Sequence, residues 1–73
     1  MNSVNVLVAS NLRAEIARQK VTQKELCQLL GVSRSALTRR LSGTVPIDVN
    51  ELVVFADYLD VPVVELLPAK AAS

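Results

Sequence analysis

Three segments of this chain carry the same helix-start signal, and that repetition constrains the fold more than any other feature. In Val21-Thr22-Gln23-Lys24-Glu25-Leu26, Thr22 is an N-cap whose hydroxyl accepts an otherwise unpaired backbone N–H, with Glu25 placed three residues on for a capping box. Val21 and Leu26 flank the cap as a hydrophobic staple. Ser33 repeats the arrangement with Val32 and Leu37, and Asp48 repeats it with Ile47, Leu52 and Glu51. Gly31 and Gly43 follow as stops, because glycine takes the left-handed conformation that ends a helix without a Cβ clash. Helices are predicted near 22–30, 33–42 and 48–59.

Two further helices complete an all-α reading. Asn11 to Lys20 is rich in helix formers, and Val4, Val8, Leu12 and Ile16 recur every four residues, so a first helix is predicted over 4–19. The β-branched run Val4-Asn5-Val6-Leu7-Val8 fits a short strand or arm as an alternative. Pro62 suits the first turn of a short last helix that ends by Pro68. In the fourth helix Val49, Leu52, Ala56 and Leu59 cluster on one side, with Val54 and Tyr58 roughly opposite. The expectation is one compact five-helix domain over 1–68, followed by a frayed tail at 69–73.

Length and chemistry then narrow the function. A chain of 73 residues buries only about 60% of its unfolded surface, which disfavours a large substrate cavity. The sequence has no His and one Cys, so it lacks a disulfide framework, a Cys/His zinc cluster and any imidazole-based triad. Cys27 reads as a small core residue. No enzymatic activity, cofactor, metal or small-molecule substrate is expected. Val6 to Ala9 is the longest apolar stretch near the start, with no basic residue before it, so neither a signal peptide nor a membrane span is expected and a cytoplasmic location is the default.

The formal net charge of +1 conceals a division. Residues 1–40 hold seven basic and two acidic side chains, and residues 41–73 hold one basic and five acidic. Such a chain can turn one face toward phosphates and another away from them, though a solvated surface with accidental segregation would look the same.

Between Gln23 and Leu41 the pattern is more specific than two successive helices. Cys27 is small where a second helix must cross closely, Gly31 is the hinge, and Leu30 and Val32 plug the core on either side. The stretch TQKELCQLLGVSRSALTRRLSG resembles the phage repressor and Cro-like (XRE-type) helix-turn-helix family, and actinobacterial phage or prophage immunity repressors within it. The likeness continues through ELVVFADYLDVPVVELL and covers about residues 12–67. It implies a lambda-repressor-like fold with the helix-turn-helix at about 22–42, double-stranded DNA as partner, and a nucleoid-associated transcriptional regulator in a bacterial or phage-infected cell. One departure is Arg40, where the family often has an apolar residue; Leu41 is expected to supply that packing.

In this architecture the helix after Ser33 enters the major groove. At about 100° per residue, Leu37 and Leu41 share one side, Ser35 and Arg39 lie opposite, Thr38 lies between, and Arg34 sits in the exposed first turn. Arg34, Ser35, Thr38 and Arg39 are the candidate base contacts, Arg34 foremost because a guanidinium donates two parallel bonds to guanine. Each also has an ordinary reading as a solvated surface residue. Candidate phosphate contacts are Thr22, Gln23, Ser33, Arg40, Ser42 and Thr44. For Gln23 the resemblance implies a backbone contact and a brace for the recognition helix. Thr22 and Ser33 are primarily caps, and Arg40 alternatively covers apolar surface with its stem.

Val54 and Tyr58, with Val64 and Leu67, form a candidate homodimer face, since dimeric readers of this class bind half-sites about one DNA turn apart. Isolated exposed apolar residues are also normal on a monomer. The competing functional reading is a protein-interaction module of the same fold, an antitoxin or anti-regulator, without specific DNA binding of its own.

Overall fold

The computed structural model describes residues 4–68, so the tail expected at 69–73 lies outside the described residues. Four α-helices follow in order: α1 (Val4–Gln19), α2 (Gln23–Leu30), α3 (Arg34–Ser42) and α4 (Val49–Leu59). A single 3₁₀ turn, Val63–Leu66, closes the set, and no strand occurs among the described residues. Val4 to Val8 is helical throughout, which removes the strand alternative.

All three N-caps form as their sequences demand. Thr22 Oγ1 accepts Glu25 N–H at 3.2 Å, Ser33 Oγ accepts Ala36 N–H at 3.1 Å, and Asp48 Oδ1 accepts Glu51 N–H at 2.7 Å. Such a cap contributes about 1 kcal/mol. Only the Asp48 box closes reciprocally, with Glu51 Oε1 accepting Asp48 N–H at 3.3 Å. Glu25 departs from expectation: its carboxylate accepts the Tyr58 hydroxyl at 3.2 Å and so ties α2 to α4.

Every helix stops through a left-handed residue, but only two of the four are glycines: Gly31 (φ 68°) and Gly43 (φ 84°), against Lys20 (φ 58°) and Asp60 (φ 56°). The backbone bonds explain why the conformation is kept. At Lys20, Lys20 N–H meets Ala17 O and Val21 N–H meets Ile16 O; at Asp60, Asp60 N–H meets Asp57 O and Val61 N–H meets Ala56 O. This 6→1 and 5→2 pair satisfies carbonyls that the helix leaves open. The residue after the stop is Val21, Val32 or Val61 in three cases, and each packs on the core.

The core is aliphatic around one ring. Leu12, Leu26, Leu37, Phe55, Leu59 and Leu66 are fully buried, and Val8, Ala9, Leu41, Leu52 and Ala56 complete the interior. Two members of the apolar stripes stay outside this interior. Val4 is 64% exposed, because a four-residue spacing drifts by about 40° per step and the buried set of α1 is Val8, Ala9 and Leu12. Val49 is 75% exposed, since the buried stripe of α4 begins one turn later at Leu52. The expected fifth helix is also shortened: Pro62 and Pro68 bracket too few residues for α-helical bonds to propagate, and Glu65 N–H bonds Pro62 O at 2.9 Å instead.

Polar side chains of α1 reach the carbonyl ends of later elements. Asn11 Nδ2 donates to Leu66 O at 3.3 Å and Leu67 O at 3.0 Å, and Gln19 Nε2 donates to Leu59 O at 2.8 Å and to Glu15. Arg13 Nη1 donates to Leu41 O in the last turn of α3. Glu15 is held below its usual carboxylate range by the hydrogen bond from Gln19 first and by Arg18 next, with partial desolvation opposing them.

Gly43 has a second duty beyond its φ. A Cβ there would stand 2.9 Å from Val6 Cα, so α3 can end against α1 only without a side chain at that position; at Gly31 the same atom would meet nothing within 4 Å. Gly31→Ala is therefore expected to cost about 1–2 kcal/mol, the left-handed penalty alone, and Gly43→Ala clearly more. Chemical denaturation measures both; equal losses would show that the Gly43–Val6 approach is not tight.

Candidate nucleic-acid interface

The exposed face of α3 follows from its packing. Leu37 and Leu41 are buried against the rest of the domain, and Ala36 is half-buried on one flank. Arg34, Ser35, Thr38, Arg39 and Ser42 are all exposed. The five share the solvent side of a nine-residue helix, and none has a carboxylate partner among the described residues.

Arg34 is anchored at one end. Its Nε donates to Gln23 Oε1 at 3.2 Å, so the first turn of α2 holds the first turn of α3. With Nε engaged, the two Nη groups remain pointed away from that bond as a planar donor pair, with no partner among the described residues. Gln23 thus connects the two helices through a side chain, while its amide nitrogen stays available.

Ser42 Oγ lies 3.0 Å from Arg39 O and 2.9 Å from Thr44 Oγ1, which places two hydroxyls together at the C-terminal end of α3. Thr22 and Ser33 use their hydroxyl oxygens as cap acceptors, and each O–H proton is left to donate outward. An open groove of about 310 Å³ runs between Arg13, Gln23, Thr38, Leu41 and Ser42. A second hollow of about 340 Å³ is lined by Lys24, half-buried Cys27 and Arg34.

The structure does not bring Arg40 to this face. It lies on the opposite flank of α3, where its Nε meets both Glu51 oxygens at 3.1 Å, its Nη2 meets Glu51 Oε2 at 3.0 Å, and its Nη1 donates to Ala36 O at 3.1 Å. The two side chains are only 18% and 19% exposed. Hydrogen bonding to Glu51, ahead of the opposing desolvation, raises the guanidinium above its ordinary range. An Arg so engaged is a clamp between α3 and α4, and the expectation of a phosphate contact there is corrected. Leu41, expected to take the apolar role, does so.

The four apolar candidates of the dimer face are unequal. Val64 is 69% exposed, Tyr58 45% and Leu67 40%, whereas Val54 is half-buried. The Tyr58 hydroxyl is engaged by Glu25; partial desolvation first, and then the Glu25 charge and hydrogen bond, raise the phenol above its ordinary range. Arg13 and Lys24 were not among the sequence candidates. The signal for Arg13 was its place one residue from Leu12 on a helix that packs on α3, which only the fold reveals.

Among the described residues no group of three or more His, Cys, Asp or Glu side chains is arranged to hold a metal ion, and no helix is long and apolar enough to cross a membrane. The family model described as Helix-turn-helix matches residues 12–66. No curated protein and no solved structure matches the chain.

The Arg40–Glu51 clamp carries its own test. Arg40→Ala is expected to cost about 1–2 kcal/mol, and Glu51→Ala more, because it opens the Asp48 capping box as well. Denaturation of the single and double variants should show coupling of at least about 0.5 kcal/mol. Strict additivity would mean that the pair contributes nothing across the helix boundary.

Proposed function

Because this chain belongs to the helix-turn-helix family, whose members bind double-stranded DNA, we propose that it is a sequence-specific transcriptional regulator that reads an operator with α3 in the major groove. The observation that carries this reading is the array of exposed polar side chains on α3, with Arg34 braced by Gln23 at 3.2 Å. A guanidinium fixed at Nε presents its Nη pair with less rotamer freedom to lose, and a pre-oriented fork suits guanine O6 and N7.

In this reading Arg34, Ser35, Thr38 and Arg39 touch base edges. Gln23, Ser42 and Thr44, with the outward protons of Thr22 and Ser33, hold backbone phosphates. Residues 1–68 act as the DNA-binding domain. The regulator is a phage or prophage immunity repressor or a Cro-like protein, working in the cytoplasm of a bacterial cell. A homodimer built on Val54, Tyr58, Val64 and Leu67 would read two half-sites. Exposed Val64 and Leu67, beside a half-buried Val54, support that contact. The acidic second half turns away from the polyanion, which favours one docking orientation over the others.

Arg34→Ala is expected to relax preference at one base pair by about 1–3 kcal/mol. Gln23→Ala should relax the same base pair partially and weaken all sequences besides, because it removes both a phosphate contact and the brace. Binding to single-base operator variants measures both. Uniform losses across all variants for Arg34→Ala would make it a phosphate contact, and a binding constant insensitive to salt would favour a protein partner instead.

A further inference from the structure

The outer side of α4 carries a stripe that neither the core nor α3 uses. Val49 is 75% exposed and Val53 41%, and Asp57 and Asp60 follow them as exposed residues. At about 100° per residue, Val49, Val53 and Asp57 fall within about 80° of one another around the helix, and Asp60 stands at its C-cap. Val49 and Val53 lie about 160° from Glu51, the residue of α4 that pairs with Arg40 of α3. Val54 and Tyr58 lie within about 60° of Glu51, so the stripe is a different face from the one they occupy.

Folding explains neither half of the stripe. Two valines one turn apart are left in water on a helix whose other apolar side chains are buried or half-buried, Tyr58 apart. Asp57 and Asp60 stand in the last turn and at the cap of α4, against the negative end of its dipole, with no basic residue in that turn. Among the described residues no Lys or Arg forms an ion pair with either. Two carboxylates and a helix C-terminus therefore add to one negative pole. Val53 lies about 6–10 Å along the axis from the two carboxylate positions, and Val49 one turn beyond it.

That combination complements a particular chemistry. A cation brought to the pole gains from both carboxylates and from the dipole, and an apolar side chain beside it covers the valines. An amphipathic helix with Leu or Val at one position and Lys or Arg four and seven residues away matches the stripe in length and in sign. We propose that this stripe is a docking surface for a basic amphipathic helix of a partner protein, with Val49 and Val53 as apolar anchors and Asp57 and Asp60 as acceptors of its cations. The contact goes beyond the DNA reading and does not rest on it. Because the stripe is turned away from α3, a duplex on α3 and a partner on α4 can be held at once, and a regulator so built recruits a second protein to its site.

Titration of the isotope-labelled full chain with a synthetic Leu/Lys peptide tests the surface. The peptide has about 18 residues, enough to be helical, with Leu and Lys on adjoining stripes. Amide shift changes should centre on residues 49–60. Val49→Asp should weaken the peptide about tenfold, and so should Asp57→Asn combined with Asp60→Asn, which should also flatten the dependence on salt. A peptide of the same composition in scrambled order should bind at least about tenfold more weakly.

Absence of binding, changes centred on α2 or α3, equal affinity for the scrambled peptide, or undiminished affinity of Val49→Asp would each overturn the proposal. Should Val49→Asp fail to fold, the paired Asn variant, which alters no core residue, carries the same comparison. Shifts at Val49 and Val53 that grow with protein concentration alone, with a sedimentation mass of two chains, would give the stripe to a second copy and overturn it as well.

Discussion

The helices of this domain are too short to stand alone, and that constraint organises the rest. α2, α3 and α4 have 8, 9 and 11 residues, below the roughly 12–15 at which an isolated helix becomes even marginal in water. A helix of eight residues has as many unpaired backbone groups at its two ends as a much longer one has. Stability therefore depends on how those ends are met. Side-chain caps meet the N-termini, and left-handed turns meet the C-termini. α1, the one long helix, lends Asn11, Arg13 and Gln19 to carbonyls of the 3₁₀ segment, α3 and α4. Burial of Leu12, Leu37 and Phe55 supplies the attraction, and the end chemistry decides which arrangement it favours.

The same bonds fix α3 in space. α3 is held at its start by the Ser33 cap and the Gln23–Arg34 bond, on one flank by the Arg40–Glu51 pair, and at its end by Arg13 and the close approach of Gly43 to Val6. Five restraints on nine residues leave little freedom of rotation or tilt. What remains outside them is the face carrying Arg34, Ser35, Thr38 and Arg39. Reading DNA requires such a face to be presented in one orientation, because base-edge hydrogen bonds tolerate only small displacements.

Most of the helical framework was legible because caps are local. Thr22, Ser33 and Asp48 announced three starts, and Gly31 and Gly43 two stops, through chemistry that acts within four residues. The ends of α1 and α4 were placed at 19 and 59, but what stops them was not visible: Lys20 and Asp60 are held at positive φ by backbone bonds and by packing of Val21 and Val61. Val4 and Val49 share the apolar stripes of their helices yet stay exposed, because periodicity describes a helix face and not how far the neighbouring helix extends. Arg40 was legible as a cation near the core flank. Its partner stands eleven residues on, in another helix, so its direction required the fold. Arg13 was hidden for the same reason, as its meaning depends on the end of a helix 28 residues away.

The central claim is that this face of α3 reads sequence in duplex DNA, and selection from a random duplex pool with the purified chain tests it most directly. Moderate salt suppresses the charge-driven background, so enrichment reports base discrimination. The account predicts enrichment of one short motif, arranged as an inverted repeat about one helical turn apart where two copies bind together. A folded protein that enriches no motif would contradict it.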